Sequence, residues 1–422
     1  MFSYSTKNQI KHYERENMNF EIKKYGEIIV DYVKENYKKV FREPAGIMKY
    51  KYIVPGSIYE SLWDWDSWTT NIALRAVASS ADIGEYEKGC VLNFLDKTDY
   101  MGRIPILITP AGASPAYTDK VNMNVHKPCL AQHALYVGEQ NGDFEWLREK
   151  FSNLTAFVDF YFEHCRHESG LYFWLNDVAI GIDNDPCVFY RPEKSSATIY
   201  LNCLMYKEIW ATSEIARHLG LEDEAAKYAE RAEELKNCIR DSLWDERNGF
   251  FYSADLNLRP IDADETMHKG CPRNYSFLLQ KIDVWSGFLA MWAGIATPEQ
   301  AERMVKENYL NEKTFYSAGG VRSLSKCEKM YRVIVSGNPS CWTGPIWGIA
   351  NYLTFVGLLN YGYEKEAREL AEKTVLMFGK DIEKYGKMHE YYDPDTCEGV
   401  HNLGFQSWNL LAVNMYQYLM RE

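Results

Sequence analysis

Two short stretches of the chain carry the residue types of acid–base chemistry. GIDNDP at 181–186 and HEYYDPDTCEG at 389–399 each set carboxylates among turn-forming residues. Two carboxylates on separate loops of one rim can face each other across a substrate, one donating a proton and the other accepting one. The pair that could do this is Asp183 and Glu390. An aspartate in a turn also has a purely structural use, so neither stretch decides the matter alone.

Aromatic residues crowd near both. Tyr59, Trp63, Trp65, Asp66 and Trp68 fall within SIYESLWDWDSW at 57–68, and Trp342 and Trp347 flank a Gly-Pro turn in CWTGPIWGIANYL at 341–353. Indole faces with interleaved carboxylates suit a pyranose, whose C–H groups stack on the rings while its hydroxyls donate to the acids. A core aromatic cluster with a capping Asp remains the structural alternative. In GFQSWNLLAVNMYQYL at 404–419, a mostly apolar helix, Gln406 is the one candidate contact to a ligand.

Helical periodicity dominates the elements that must position these groups. Ile22, Tyr25, Ile28, Ile29, Tyr32 and Val33 recur at steps of three and four, which puts them on one face. The same pattern predicts helices over 18–40, 64–79, 83–97, 128–141, 143–166, 196–219, 222–243, 281–294, 298–307, 344–361, 363–379 and 404–420. Residues 1–17 are left as an N-terminal tail, and 18–422 as a single domain without a Gly-, Ser- or Pro-rich linker. Strand-like runs such as 104–109 and 249–252 are too short for a sheet core. The fold expected is therefore all-α, an (α/α)6 barrel of six inner and six outer helices. HLGLEDEAAKYAERA at 218–232 echoes NYGYEKEARELAEKT at 360–374, each passing from a Gly turn into an Ala-rich amphipathic helix. Long connections, where function sits, fall at 98–127, 167–195, 244–280, 308–343 and 380–403. The stretch from Gly102 to Lys127, broken by three prolines, is expected to be a lid.

Composition narrows the classes of partner. Over 422 residues the net charge is −12, which offers no footprint for nucleic acid or an anionic membrane. No run of eighteen apolar residues occurs, and the charged N-terminus does not read as a signal peptide, so a cytoplasmic protein is expected. The 10 cysteines are scattered without a CxxC pair, as in a reduced protein without structural zinc. A small carbohydrate is the expected partner, with no cofactor and no metal.

Taken together, SIYESLWDWDSW, GIDNDP, GVRSLS at 320–325, WTGPIW with NYL, and HEYYDPDTCEG followed by GFQSW resemble the ordered signatures of glycoside hydrolase family 63. The likeness is to its short bacterial members that hydrolyse mannosylglycerate and glucosylglycerate, with family 37 trehalases more distant. It runs from about Tyr59 to Trp408. The resemblance implies an (α/α)6 barrel and an inverting α-glycosidase, with Asp183 as general acid and Glu390 as general base. It also implies sugar-binding roles for Tyr59, Trp63, Trp65, Asp66, Trp342 and Trp347, and Gly181 belongs to the same site.

The chain departs from the family pattern in three places. The usual Ser-Gln-Pro-Pro reads His126, Lys127, Pro128, Cys129; D-N-S-P-R reads Asp183, Asn184, Asp185, Pro186, Cys187; and W-R-G-P has Thr343 for Arg. An ammonium at Lys127 in place of a neutral amide either reads a negative charge on the substrate or pairs with a rim carboxylate such as Asp185. Two other classes use comparable parts. A sugar epimerase on the same barrel would work through His126, His133, His389 or His401, and a sugar-binding protein would need neither acid. A trehalase-like hydrolase is the nearer alternative.

Overall fold

The computed structural model describes residues 3–116, 122–258, 276–334 and 339–421, with side chains from residue 18 onward. Twelve α-helices lie within these residues. They are α1 (Ser3–Asn36), α2 (Asp64–Leu74), α3 (Ser80–Leu95), α4 (Leu130–Asn141), α5 (Phe151–His164), α6 (Ile199–His218), α7 (Glu222–Ser242), α8 (Leu289–Trp292), α9 (Pro298–Arg303), α10 (Gly348–Asn360), α11 (Glu364–Tyr385) and α12 (Ala412–Leu419).

Local signals explain their limits. Thr198 accepts from the backbone N–H of Leu201 at the start of α6, and Thr297 with Gln300 forms a capping box ahead of Pro298 in α9. Gly142 and Gly386, at φ of 62° and 68°, end α4 and α11 in the left-handed conformation that a glycine takes without strain. The two echoing segments are indeed equivalent: Gly220 and Gly362, both left-handed, turn the chain from α6 into α7 and from α10 into α11.

Several boundaries differ from those the periodicity predicts: the helix expected from 143 starts only at Phe151, that expected to end at 379 runs to Tyr385, and three further cases change the kind of element. Helix α1 starts at Ser3, so it occupies nearly all of the stretch expected to be a tail. In sequence, residues 3–17 hold only Tyr4, Ile10 and Tyr13 as apolar or aromatic positions, too few to show a helical period. They extend a helix already nucleated where Ile22, Ile29 and Val33 are buried against α11 and α12. The helix expected at 281–294 shrinks to a 3-10 turn, Trp285–Phe288, followed by the single turn of α8. That expected at 404–420 begins with a 3-10 turn, Ser407–Leu411.

The even-numbered helices pack in succession. α2 contacts α4, α4 contacts α6, α6 contacts α8 and α8 contacts α10, while the turn before α12 touches both α10 and α2. Most of the others lie against them: α3 on α4, α5 and α7 on α6, and α11 on α10 and α12, with α1 beyond it. Trp285, Trp342, Trp347, Tyr200 and Phe94 are among the largest fully buried side chains. Burying such rings is stabilising, at about 25 cal/mol per Å² of apolar surface. No helix among the described residues is long and apolar enough to cross a membrane.

Short strands pin the helix starts that matter. Leu62–Trp63 pairs with Leu107–Thr109 just before α2, Ser196–Ala197 pairs with Ser253–Asp255 just before α6, and Ile346–Trp347 pairs with Tyr391–Tyr392 just before α10. The last pairing sets Trp347 opposite Tyr391, beside Glu390. Much of the stretch expected to be a lid is fixed in place in the same way. Its hairpin, Leu107–Thr109 with Gly112–Ser114, is paired to Leu62–Trp63, and Arg103, Ile104, Ile106 and Ile108 are buried. Residues 117–121 of that stretch lie outside the described set.

Candidate active site

A cavity of about 440 Å³ opens where the N-terminal ends of α2, α4, α10 and α12 converge with the loop before α6. That is large enough for a small ligand. Tyr59, Trp63, Trp65, Asp66, Lys127, Gly181, Asp183, Trp342, Trp347 and Glu390 all line it, although nearly the whole chain separates the first from the last. Gln406 does not border it; its side chain lies against Gly56, and Trp408, two residues on, faces the cavity instead. Among the described residues 102–126, none borders the cavity, whereas Val178, Ala179 and Phe189 of the later loop do.

The aromatic wall is continuous. Trp342 stacks on Trp347 at 3.9 Å and 3°, Trp65 meets Trp342 at 6.1 Å and Trp408 at 5.1 Å, and Phe405 joins Trp408 to Tyr59. The indole N–H of Trp347 donates to the carbonyl of Cys341, which fixes the ring through the Gly-Pro turn. Such a wall leaves ring faces rather than polar atoms for a ligand to lie against.

Glu390 sits among donors. Asn402 Nδ2 donates to its Oε2 at 2.7 Å, and the Tyr59 hydroxyl lies 3.3 and 3.4 Å from its two oxygens. Ser57 Oγ in turn donates to Asn402 Oδ1 at 2.8 Å, which orients the amide. Burial pushes the Glu390 carboxyl up to about 7; Asn402 and Tyr59 pull against that shift, and the charge of Asp183 adds to it. Burial also raises the Tyr59 phenol, with the charge of Glu390 next in weight. Asn402 lies between two of the motifs, and Ser57, although it opens SIYESLWDWDSW, has nothing in its spacing that marks it as a partner of Asn402.

The segment bearing Asp183 is tied down at several points. Asn184 Oδ1 accepts from the backbone N–H of Trp342 at 2.6 Å, which brings the two motifs into register. Asp185 Oδ1 accepts from the N–H of Cys187, and burial raises its carboxyl to about 6. Gly181 has φ +94°, and a Cβ there would meet Lys127 Cε at 2.7 Å and the Trp65 ring at 2.9 Å. Only glycine fits that close approach.

Lys127 does not pair with Asp185. Its ammonium lies 2.8 and 2.9 Å from the two oxygens of Asp64, and its backbone N–H donates to the same carboxylate. It also lies 5.2 Å from the centre of the Trp65 ring. Asp66, in the first turn of α2, has a single hydroxyl donor, Ser407 Oγ at 2.7 Å. Burial lifts its carboxyl to about 7; Ser407 opposes the shift, Asp64 adds to it, Lys127 opposes it, and Glu390 adds a little more.

None of the four histidines considered for an epimerase borders the cavity. Burial pushes His126 and His133 down to about 4 and 3, so both stay neutral in the core, and His389 pairs with Asp381. Imidazole acid–base chemistry therefore has no group at this site among the described residues.

Comparison with known proteins agrees with this geometry. Residues 59–408 match the model of the mannosylglycerate hydrolase MGH1-like glycoside hydrolase domain. The chain belongs to this family. A crystal structure of a family 63 mannosylglycerate hydrolase from Thermus thermophilus superposes with a TM-score of 0.67 at 18% identity, covering 92% of this chain and 100% of that one. The neutral trehalase of Saccharomyces cerevisiae superposes at 0.63, with 19% identity over 93% and 80% of the two chains. The fold is thus shared with these helical barrels.

Among curated sequences, the cytosolic neutral trehalase of Kluyveromyces lactis is 24% identical over 85% of this chain and 53% of its own length. The mannosylglycerate hydrolase of Rubrobacter radiotolerans is 26% identical over 50% and 41%. The chain spans about half the length of these relatives or less. Both acidic motifs fall inside the region matched to this glycoside hydrolase domain.

Proposed function

We propose that this chain is a glycoside hydrolase, an inverting α-glycosidase acting on a small α-glucoside or α-mannoside, with Asp183 as general acid and Glu390 as general base. The scaffold we assign is the (α/α)6 barrel, with α2, α4, α6, α8, α10 and α12 inside and the other six outside, in keeping with the packing described. The observation that carries the reading is a pair of carboxylates, from loops two hundred residues apart in sequence, in one tryptophan-walled cavity. In this mechanism Asp183 protonates the departing oxygen while Glu390 takes a proton from water on the opposite face. Tyr59 and Asn402, both donating to Glu390, favour its ionised form, which a base requires. The trehalase relatives from Kluyveromyces lactis and Saccharomyces cerevisiae are named cytosolic, and the described cysteines are all free, which fits a reducing cytoplasm.

The raised Glu390 carboxyl favours a second reading, in which Glu390 is the acid and Asp183 the base. Leaving-group chemistry separates the two. Asp183→Asn and Glu390→Gln are each assayed on a natural-type glycoside and on a nitrophenyl glycoside, whose phenolate departs with little need of a proton. On the first, both variants lose about 10²–10⁴ in kcat. On the second, the variant at the acid recovers most of the rate and the other does not. Recovery by Glu390→Gln reverses the roles, and full activity in both variants removes the mechanism.

Proton NMR of the first product gives the anomer, and a retained configuration rules out inversion. The substrates for the first screen are trehalose and the α-glucosides and α-mannosides of glycerate. With Glu390 as base, kcat/KM falls as pH drops through about 7, because protonation removes the base.

A further inference from the structure

The wall of the cavity divides by chain segment. Tyr59 reaches Glu390, Trp63 and Phe405 meet Tyr59, and Trp408 meets Phe405, whereas Asp183 shares its own segment with the lining residues Val178, Ala179 and Phe189. If Asp183 protonates the departing oxygen, as proposed above, the side chains flanking it border the leaving group. All three are apolar.

Backbone geometry holds them there. Asp177 Oδ2 accepts from the N–H of Tyr190 at 3.0 Å, a clasp that joins the two ends of the loop. Val178 follows the first clasp residue and Phe189 precedes the second, so closing the clasp brings both to the cavity. Asn124 Nδ2 anchors the same end by donating to the carbonyls of Val178 at 2.7 Å and Asn176 at 3.1 Å. Ala179, Tyr190 and Lys194 all stand at φ near +58°, a left-handed conformation that costs non-glycine residues about 1 kcal/mol or more each. Three such residues in one loop show that the surrounding structure imposes its shape. Val178 nevertheless remains 65% exposed, an apolar side chain open to solvent at the cavity.

Charge points the same way. Asp177, on the same loop, and Glu390, ionised as the base, line the cavity, against a single lining cation among the described residues, Lys127, whose ammonium is held by Asp64. A leaving group bearing a carboxylate meets like charge there, and like-charge juxtaposition disfavours binding.

We propose that Val178 and Phe189 form a leaving-group subsite for an uncharged alcohol with an apolar face, and that the enzyme discriminates against glycerate. This rests on the glycosidase reading with Asp183 as acid. An aryl or alkyl alcohol and a second sugar presenting its C–H face share this chemistry, and the test separates them.

Glycosides of one sugar are compared with benzyl alcohol, methanol, glucose and glycerate as leaving groups. In the wild type, kcat/KM for the benzyl glycoside exceeds that for the glycerate glycoside about tenfold or more. Phe189→Ala and Val178→Asp each lower the benzyl value about tenfold, mainly through KM, and leave the methyl glycoside unchanged. An equal loss on the glucose-containing glycoside marks a sugar as the occupant, and a loss confined to the benzyl glycoside marks an aryl or alkyl alcohol. Preference for glycerate, or an equal effect of both variants on all four, overturns the proposal.

Binding of the same set to Asp183→Asn, followed by tryptophan fluorescence from the five indoles that line the cavity, is independent of turnover. Should the wild type turn over none of the four, the enzymatic reading fails. The subsite then stands only if the benzyl preference is seen in binding and is lost on adding Phe189→Ala. Both side chains are partly exposed, and unchanged thermal melts confirm that the variants fold.

Discussion

Asp64 and Asp66 share the first turn of α2, and both are buried, yet they are held in opposite ways. Asp64 takes two contacts from the Lys127 ammonium, one from the Lys127 backbone and one from the N–H of Trp65. Asp66 has the Ser407 hydroxyl, and its carboxyl is driven up to about 7. Burial alone does not decide what a carboxylate does; the number and charge of its donors decide it. The fully paired acid braces the floor of the cavity. The under-paired one, on the lining, keeps a charge state that a ligand hydroxyl or a small change in pH can shift.

The largest expected effect breaks the paired half of this contrast. Lys127→Met leaves the Asp64 carboxylate buried and without its cation, which costs about 3–5 kcal/mol of stability in a denaturant titration. Asp64→Asn added to Lys127→Met removes the stranded charge and recovers much of the loss, although the amide keeps an acceptor for only one of the two backbone N–H groups, which meet different oxygens of Asp64. A loss below about 1 kcal/mol in the single variant means that the ammonium is not bracing Asp64. Lys127 then returns as a reader of negative charge on the substrate.

This contrast also marks the limit of what the sequence reveals. Both aspartates stand in the same DWD triplet, and nothing local separates them. Their difference comes from Lys127 and Ser407, the latter 341 residues away. Residues inside compact motifs, such as Trp65, Asp183 and Trp347, were legible because ring and carboxylate patterns repeat within a few positions. The amphipathic helices were legible for the same reason, as α7 and α11 show.

The link from Ser57 through Asn402 to Glu390 was not legible, although Ser57 opens a motif, since it runs through loop contacts that have no period. Gln406 was misplaced by one feature: a 3-10 turn, not an α-helix, opens the segment at Ser407, and the changed rotation turns Trp408 to the cavity. The polar start of α1 lacked the stripe on which a periodicity argument depends.

The second effect concerns the under-paired acid and depends on pH. A carboxyl raised from 3.8 to about 7 binds its proton more tightly folded than unfolded, so its contribution to stability falls as pH rises from about 4 to 7. The cost is complete above 7, at up to about 4 kcal/mol for this shift. Asp66→Asn therefore melts higher than the wild type at pH 8, and the gap closes toward pH 4. A variant that melts lower at pH 8 shows that Asp66 is stabilised as an anion, by donors beyond Ser407. Its activity is expected to fall even as its stability rises, because a lining carboxylate has been lost.

The smallest effect sharpens the comparison by taking away the one hydroxyl that Asp66 has. Ser407 itself is at φ +32°, but alanine carries the same Cβ and meets the same backbone strain, so Ser407→Ala isolates the hydroxyl. A hydrogen bond to a charged acceptor contributes about 1.5–3 kcal/mol, and one to a neutral acceptor about 0.5–1.5 kcal/mol. Above pH 7, where Asp66 is ionised, the variant is expected to lose an amount in the first range. Near pH 5, where Asp66 is protonated, the loss drops to the second. Combined with Asp66→Asn, the substitution has the smaller effect at both pH values, since no charge is left for the hydroxyl to answer. A loss that is equal at pH 5 and pH 8 in the single variant and survives unchanged in the double variant places the role of Ser407 in the 3-10 turn and not at Asp66. In that case the low donor count of Asp66 is not what distinguishes it from Asp64.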